Sequence, residues 1–397
     1  MDMKRFLADR TSVLGTEAAF EVLSKAKELE RSGIKVIHME IGEPDFSSPF
    51  RVINSAITAM NQGNTKYCAA DGLINAKEVI ANHASRLREI EFTHDEVVIT
   101  PGAKPILFYS MLACINPGDE VIYPNPGFPI YESLVHFCGG KPVPVPVEEI
   151  DDNFSIDINK LEQLISNKTK MLILNSPHNP TGGILKKYDL EEIAHLCIKN
   201  DLLVISDEVY NKIYYDEKPI SIASLPFMKE RTIIVDGFSK TFSMTGWRLG
   251  FGLMPKGLIP HITRLIINNN SCTPPFIQLA GIEALLNCSS HTEEMVKEFA
   301  KRRNMLVKGL NSLSGFRCHK PKGAFYAFPN VNGTGISSSV LASELLEKAG
   351  VATIDGASFG KYGQNHLRLS YATSMDNICE AINRIDMYLT KNNKKPF

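Results

Sequence analysis

The sequence predicts an α/β protein in which a mostly parallel β-sheet is sandwiched between helices. Short apolar runs recur along the middle of the chain, at residues 97–100, 120–123, 171–175, 202–206 and 232–236. Longer helical patterns alternate with these runs, for example over residues 103–115 and 190–200. Continuous apolar runs indicate strands that are buried on both faces, and alternating strands and helices are typical of a parallel sheet.

The two ends of the chain have a different pattern. Residues 18–32 predict an amphipathic helix that ends at Gly33. After residue 290, long helical patterns are followed by strand-like runs at residues 324–328 and 366–371. We therefore expect two domains: a large α/β domain over residues 46–290, and a smaller α+β domain built from residues 1–45 plus 291–397.

The composition excludes several classes of function. The chain has 397 residues with 43 Lys and Arg against 44 Asp and Glu, so its net charge is −1 and we expect no nucleic-acid or membrane partner. No apolar run approaches the roughly 20 residues of a membrane span, and no secretory signal is visible. The eight cysteines are scattered without a C-x-x-C pair, which favours reduced thiols in the cytoplasm and gives no support for a metal site.

Ligands of parallel α/β sheets bind beyond the carboxyl ends of the strands, so the residues after each apolar run are candidates. The first run is followed by Thr-Pro-Gly-Ala-Lys at residues 100–104, where a helix begins. Small residues at such a turn let backbone amides approach an anion such as phosphate, although an ordinary glycine turn is the alternative. After the second run, a proline-rich loop presents Phe128, which could stack on a flat heterocycle or pack in the core.

Polar residues also follow the third, fourth and fifth runs. They comprise an Asn-Pro-Thr-Gly turn at residues 179–182, a carboxylate at Asp207, and Lys240 with Arg248 eight residues beyond it (248 − 240 = 8). Taken singly, an Asp at a strand end is often a helix cap, and a Lys in a loop is usually solvated. Their combination at one edge of one sheet predicts a ligand site.

These segments resemble the fold-type-I enzymes that use pyridoxal 5′-phosphate (PLP), specifically the class I/II aminotransferases of the aspartate/aromatic type. Residues 237–250 resemble the cofactor-lysine signature of that family. The resemblance extends from Gly-Glu-Pro-Asp-Phe at residues 42–46 to Arg-Leu-Ser-Tyr-Ala at residues 368–372, which is nearly the whole chain. It implies that PLP is the cofactor and that the predicted sheet edge is the active site.

The resemblance implies a role for each residue around the PLP ring. Lys240 would form the Schiff base and would later move a proton between the substrate and the cofactor. Asp207 would keep the ring nitrogen protonated, while Tyr210 and Asn179 would donate hydrogen bonds to the phenolic oxygen. Asn175 is expected to be structural.

The resemblance also implies sites for phosphate and substrate. The phosphate would be held by the turn at Gly102, the amides of Ala103 and Lys104, Ser239, Arg248 and, from a neighbouring subunit, Tyr67. Arg368 would bind the α-carboxylate of the substrate with a bidentate fork. Phe128, Asn179 and Gly42 would line the substrate, with a plain turn as the alternative for Gly42. This chain has Gly237 where the family often has a serine, and Ser239 would compensate.

The implied reaction is ping-pong transamination, in which an L-amino acid gives its nitrogen to a 2-oxo acid. The same residues would suit a β-lyase, a decarboxylase, or an amino-acid oxidase or hydroxylase; a non-catalytic PLP-binding protein is a further alternative. A homodimer is expected because Tyr67 would act in trans. The resemblance implies that residues 15–20 pass over the site as a lid. Glu17 there would disfavour an acidic side chain and could favour a cationic one; alternatively, it complements the positive end of a helix.

Overall fold

The computed structural model of the chain describes residues 3–392. The strands are β1 (Ile37–His38), β2 (Val97–Thr100), β3 (Glu120–Asn125), β4 (Lys141–Ile150), β5 (Asn153–Ile156), β6 (Thr169–Asn175), β7 (Leu203–Asp207), β8 (Thr232–Gly237), β9 (Gly250–Leu253), β10 (Tyr326–Ala327), β11 (Val351–Ala352), β12 (Ile354–Asp355) and β13 (Leu367–Ser370). The helices are α1 (Ala18–Arg31), α2 (Phe50–Asn61), α3 (Ile74–Arg88), α4 (Lys104–Cys114), α5 (Ile130–Phe137), α6 (Ile158–Leu164), α7 (Lys187–Lys199), α8 (Phe238–Thr241), α9 (Ile259–Asn269), α10 (Pro275–Asn287), α11 (Ser289–Ser312), α12 (Ser338–Ala349) and α13 (Met375–Asn392).

The central sheet has eight strands in the order β2-β9-β8-β7-β6-β3-β4-β5. From β8 to β4 the neighbouring strands are parallel, whereas β9 is antiparallel to both β2 and β8, and β5 is antiparallel to β4. The five apolar runs form β2, β3, β6, β7 and β8, and the helical patterns near residues 103–115 and 190–200 form α4 and α7. The predicted α/β class with a mostly parallel sheet is therefore confirmed.

The sequence pattern does not predict β4 or β9. β4 has prolines at positions 142, 144 and 146, which argue against a strand because proline lacks a ladder donor. Those prolines lie in the part of β4 that pairs with β3 alone, since β5 pairs only with residues 147–150. Their missing N–H groups therefore leave no partner strand unsatisfied.

The chain ends pack together on a second core. Ile37 and Met39 share a buried cluster with Phe299 and Leu306 of α11 and Ile385 of α13. Beside this core, β10, β13 and β12 form an antiparallel sheet, and β1 pairs in parallel with β11. The predicted division at residues 45 and 290 stays a prediction, and this shared core supports it.

The strand register positions the polar residues that follow each strand. Asn175 at the end of β6 is the register partner of Asp207 at the end of β7, and Asp207 is the partner of Val235 in β8. These carboxyl ends therefore meet at one edge of the sheet, as the sequence predicts. Among residues 3–392, no helix combines the length and the apolar character needed to cross a membrane.

Candidate active site

A cavity of about 560 Å³ lies at the carboxyl ends of the parallel strands. Most of the predicted site residues line it: Gly42, Ala103, Lys104, Phe128, Asn179, Asp207, Tyr210, Ser239, Lys240, Arg248 and Arg368. The structure thus brings together residues that are more than 300 positions apart in the chain. Gly102 and Tyr67 do not line the cavity, and 87% of the surface of Tyr67 is exposed.

Lys240 belongs to the single-turn helix α8, which follows β8 directly. Its Nζ donates a hydrogen bond to the backbone carbonyl of Gly42. Burial lowers the pKa of Lys240 to about 8, with Glu43 opposing that shift. An amine of this pKa is partly neutral near physiological pH, so it can act as a base or a nucleophile.

Gly42 allows the close approach of Tyr326. A Cβ atom at position 42 would lie 2.1 Å from the Tyr326 hydroxyl oxygen, so any side chain there would displace the tyrosine ring. The resemblance places Gly42 beside the substrate, and that role stays a prediction. In the structure, the side chain that a larger residue at position 42 would meet is that of Tyr326, which itself lines the cavity.

Asp207 is buried at the end of β7. Its Oδ2 accepts a hydrogen bond of 2.6 Å from the Tyr131 hydroxyl, and its Oδ1 accepts one of 3.4 Å from the amide of Val209. Burial raises the pKa of Asp207 to about 6, although both hydrogen bonds oppose the rise. A carboxylate held this way attracts a cation strongly, because its charge is poorly solvated.

Asn175 connects Asp207 to the Asn-Pro-Thr-Gly turn. Its Nδ2 donates to the backbone carbonyl of Asp207 at 3.0 Å, and its Oδ1 accepts from the amide of Asn179 at 2.9 Å. These contacts fit a structural role for Asn175, which also lines the cavity, and that role stays a prediction.

Tyr210 and Tyr326 form a buried pair beside Lys240. Their hydroxyl oxygens are 2.7 Å apart, and either can be the donor. Burial raises the pKa of Tyr210 well above its ordinary value, so its hydroxyl stays protonated and can donate a hydrogen bond.

The turn between β2 and α4 forms a cradle with Arg248. Gly102 has a left-handed backbone with φ of 89°, and a Cβ there would lie 2.2 Å from Nη2 of Arg248. A glycine at this position therefore lets the guanidinium group lie directly on the turn. The amides of Ala103 and Lys104 are at the N-terminus of α4, where they have a positive electrostatic potential.

Gly237 is packed against the neighbouring strand. A Cβ at this position would lie 3.2 Å from both the Cα of Gly250 and the carbonyl oxygen of Leu249. Because Gly237 has no side chain, β8 and the start of β9 can lie in close contact. Ser239, two residues later, lines the cavity.

Arg368 is buried in β13 with few partners. Its Nη1 donates to Oδ1 of Asn179 at 3.1 Å, and its Nη2 donates to the backbone carbonyl of Glu40. The rings of Tyr326 and Phe359 lie 4.5 and 4.9 Å from the guanidinium carbon. Its Nε is buried and has no hydrogen-bond partner among residues 3–392, and burial lowers the pKa of the group.

The N-terminal segment borders the cavity, and the lid role that the resemblance implies for it stays a prediction. Residues 17–20 line the wall, and Glu17 forms an ion pair with Lys104. The Lys104 ammonium also lies 5.3 Å from the centre of the Phe128 ring. Glu17 is the N-cap residue of α1 but makes no side-chain hydrogen bond to that helix, and its ion-pair partner is Lys104.

Three site residues are missed by sequence reasoning: Tyr131, Tyr326 and Phe359. Tyr131 ends the proline-rich segment, but its partner Asp207 is 76 positions away. Tyr326 lies in a run that predicts a strand, yet its partner Tyr210 is 116 positions away. Local patterns do not identify such partners, because only the tertiary fold brings them together.

Comparison with known proteins identifies the class. A family model described as aminotransferase class I and II matches residues 34–385. An aspartate aminotransferase of Pyrococcus abyssi is 43% identical over 363 residues, which cover 90% of this chain and 93% of the relative. An aromatic-amino-acid aminotransferase 2 of Thermococcus litoralis is 38% identical over 387 residues, covering 96% and 98%.

A solved structure agrees with these sequences. Aspartate aminotransferase from Thermus thermophilus with maleate has a TM-score of 0.92 and 34% identity, covering 96% of this chain and 99% of that one. The molecule is therefore an enzyme, a transaminase, with the α/β architecture of fold type I. The chain belongs to the class I and II aminotransferases. The resemblance, the fold and transamination are confirmed, and the other reactions considered from the sequence are not favoured.

Proposed function

We propose that this aminotransferase uses PLP and binds it in the cavity described above. The observation that carries the proposal is that one wall of the cavity holds both a half-buried lysine amine, Lys240, and a buried carboxylate, Asp207. Neither group forms an ion pair among residues 3–392, although burying an unpaired charge is costly. An anion cradle between Arg248 and the turn at Gly102, and the unpartnered Nε of Arg368, supply two further features that fit the cofactor and its substrate.

Each of these residues would bind a different part of the cofactor. Lys240 would hold the cofactor covalently through its amine, and Asp207 would keep the ring nitrogen protonated. Tyr210 and Asn179 would donate to the phenolic oxygen. The phosphate would be held by Arg248, Ser239 and the amides of Ala103 and Lys104 at the Gly102 turn. When bound, PLP supplies an electron sink for the charge that develops at the substrate α-carbon.

Arg368 would orient the amino acid through its α-carboxylate. The free Nε and the adjacent Nη of a guanidinium form a fork that matches two carboxylate oxygens. Phe128 and Gly42 would border the substrate. The Lys240 amine would then remove or return a proton at the α-carbon, a task that suits a pKa of about 8.

Replacing Lys240 by Ala tests this proposal. Lys240→Ala should abolish turnover and the visible absorbance of lysine-bound PLP, while Lys199→Ala, at the exposed end of α7, should change neither. Full activity in Lys240→Ala would contradict the assignment.

We propose that the Glu17–Lys104 pair influences the choice of amino donor. Relatives named aspartate aminotransferase, and a neighbour structure with maleate, support an acidic donor. Lys104 is the one cation on the described cavity wall that the PLP and α-carboxylate roles leave unused, and Glu17 screens it. Glu17 would thus weaken, but not exclude, binding of an acidic side chain.

A panel of amino donors tests the role of this pair. Glu17→Gln should raise kcat/KM for aspartate several-fold relative to a neutral donor, and Lys104→Met should lower that ratio. If the wild type strongly prefers aspartate and Glu17→Gln leaves the ratio unchanged, Glu17 has no part in selectivity.

We propose that the enzyme is a homodimer in which Tyr67 reaches the phosphate of the partner subunit. Support comes from α2, where large apolar residues at helical spacing are exposed: Phe50, Ile53, Ile57 and Met60. Such a stripe is costly in a monomer and fits a second copy of the chain.

Mixing two inactive variants tests this arrangement. Subunits with Lys240→Ala and subunits with Tyr67→Ala should each have little activity as homodimers. A mixed dimer regains one site that combines Lys240 of one chain with Tyr67 of the other. Sedimentation of an active monomer, or no recovery on mixing, would contradict the proposal.

We also propose a cytoplasmic location for the enzyme. The eight cysteines are all free in the structure, which supports a reducing compartment. Cell fractionation tests this placement.

A further inference from the structure

Three carboxylates are buried together, one on the cavity wall and two behind it. Asp207 ends β7, Glu208 follows it directly, and Asp236 lies near the end of the adjacent strand β8. All three are buried. Gathering three acids in a region of low dielectric is unfavourable unless a cation balances them.

Arg88, the last residue of α3, supplies this cation. Its Nε donates to Oε2 of Glu208 and its Nη2 donates to Oδ2 of Asp236, both at 2.7 Å. The second oxygen of Glu208 accepts hydrogen bonds from the hydroxyls of Ser206 and Ser221. We call Arg88, Glu208 and Asp236 the Arg88 cluster.

The Arg88 cluster contacts both turns that carry the proposed catalytic groups. Oδ1 of Asp236 accepts from the amide of Gly237, three residues before Lys240, at 2.7 Å. Oδ2 of Asp236 accepts from the side chain of Asn211, next to Tyr210, at 2.6 Å. A shift of the cluster would therefore move both turns.

Asp207 responds to the charges of the cluster without touching Arg88. Burial is the main reason for its raised pKa, and the negative charges of Asp236 and Glu208 add to the rise. Tyr131 from α5 and the buried Tyr210 also face this carboxylate, and both stay protonated. Arg88 is the cation that pairs with both Glu208 and Asp236, so it offsets part of the negative potential that they create at Asp207.

Two further titratable groups lie near Arg88. Burial, together with the charges of Lys212 and Arg88, lowers the pKa of His83 to about 4, so this ring is neutral at physiological pH. Burial lowers the pKa of Lys212, while Asp236 opposes the shift. Neither group bonds to the two carboxylates of the cluster in the described part of the chain.

We propose that Arg88 is a positioning residue of the transamination reaction. It helps to keep Asp207 ionised by offsetting part of the negative charge of Glu208 and Asp236, and it holds the ends of β7 and β8 together. The inference rests on the proposed role of Asp207 in binding PLP. Arg88 is not on the cavity wall, so it acts on the reaction through these carboxylates.

The test compares four variants by the pH dependence of kcat/KM and, for the apo-protein, by the affinity for PLP in equilibrium dialysis. Arg88→Met should move the acid limb of kcat/KM up by about one pH unit or more. Its PLP affinity should fall about tenfold below pH 7 and recover at higher pH. Arg303→Met removes a buried arginine that pairs with Asp216 instead, and it should leave the acid limb in place.

A second substitution separates charge from lost packing. The double variant with Arg88→Met and Glu208→Gln restores the net charge of the cluster to −1, as in the wild type. It should return the acid limb of kcat/KM to its wild-type position. Glu208→Gln alone makes the cluster neutral and should move the acid limb of kcat/KM to lower pH. This variant keeps the test valid if Arg88→Met does not fold. If the acid limb of kcat/KM stays in place in folded Arg88→Met, or in Glu208→Gln, the inference is wrong.

Asp207→Asn distinguishes this inference from the proposed function. If Asp207→Asn keeps full PLP affinity, the role assigned to Asp207 is wrong. If Asp207→Asn loses PLP and the Arg88 variants keep the wild-type profile, only the role assigned to Arg88 is wrong.

Discussion

Two arginines are buried near the cavity, and their surroundings are opposite. Arg88 bonds two carboxylates, which outweigh the effect of burial and raise its pKa. Arg368 bonds only neutral oxygens, of the Asn179 side chain and the Glu40 backbone, and burial lowers its pKa.

The difference separates a structural arginine from a binding one. A guanidinium with its counter-charges already in place holds secondary structure elements together and has no further need of an anion. A buried guanidinium that bonds no carboxylate is destabilising until an anion arrives. Each arginine has one buried nitrogen without a partner among residues 3–392, Nη1 in Arg88 and Nε in Arg368, so the missing counter-charge is what distinguishes Arg368. Charge compensation is therefore a better guide to function here than burial, which the two residues share.

The largest effect is expected at the binding arginine. Arg368→Met should lower kcat/KM for the amino donor by about 10²–10⁴-fold, because the α-carboxylate loses its charged partner. The thermal stability of the apo-protein should hold or increase, since an uncompensated cation is removed. Steady-state kinetics and thermal unfolding measure the two effects; a kcat/KM within tenfold of the wild type would contradict the assignment.

Replacing Arg88, in contrast to Arg368, should lower the stability of the apo-protein. Arg88→Met leaves two buried carboxylates unpaired and should lower the free energy of unfolding by about 3–5 kcal/mol. The matched control is Arg51→Met, which breaks the more exposed pair with Glu283 and should cost less than about 1 kcal/mol. Urea unfolding of the apo-proteins measures both; equal losses would remove the distinction between the two arginines.

The raised pKa of Asp207 predicts a pH dependence of apo-protein stability. Its pKa of about 6 in the folded protein exceeds the ordinary 3.8, so the folded state binds the proton more tightly than the unfolded state. The contribution of Asp207 to apo-protein stability should therefore fall as pH rises from about 4 to 6, by up to about 3 kcal/mol. Asp207→Asn should lack this slope, so the difference between the two stability curves isolates it. A flat difference would contradict the raised pKa.

The smallest effect concerns the aromatic contacts of Arg368. Phe359→Leu removes a ring 4.9 Å from the guanidinium carbon and should raise KM for the amino donor about 2–5-fold, the size of a modest cation–π interaction. Phe328→Leu is the control, because Phe328 contacts Phe359 but makes no cation–π contact with Arg368. If both variants raise KM equally, the effect is one of core packing.

The sequence predicts much of the fold because five apolar runs are continuous and bounded by polar turns. It does not predict β9, whose Gly250 and Gly252 lower the strand signal. In the site, Lys240 and Asp207 are predictable because each lies just beyond an apolar run of the sequence. Tyr131 and the Arg88 cluster are not, since their roles depend on contacts between distant parts of the chain.

The burial of the Lys240 amine has a practical consequence for the apo-protein. With a pKa of about 8, roughly half of the Lys240 amine is unprotonated at pH 8, against well below about 1% for an ordinary exposed lysine. A small aldehyde with a mild hydride donor should therefore alkylate this one side chain ahead of most others. Position 240 offers a chemical handle for attaching a spectroscopic label inside the cavity without any engineered cysteine.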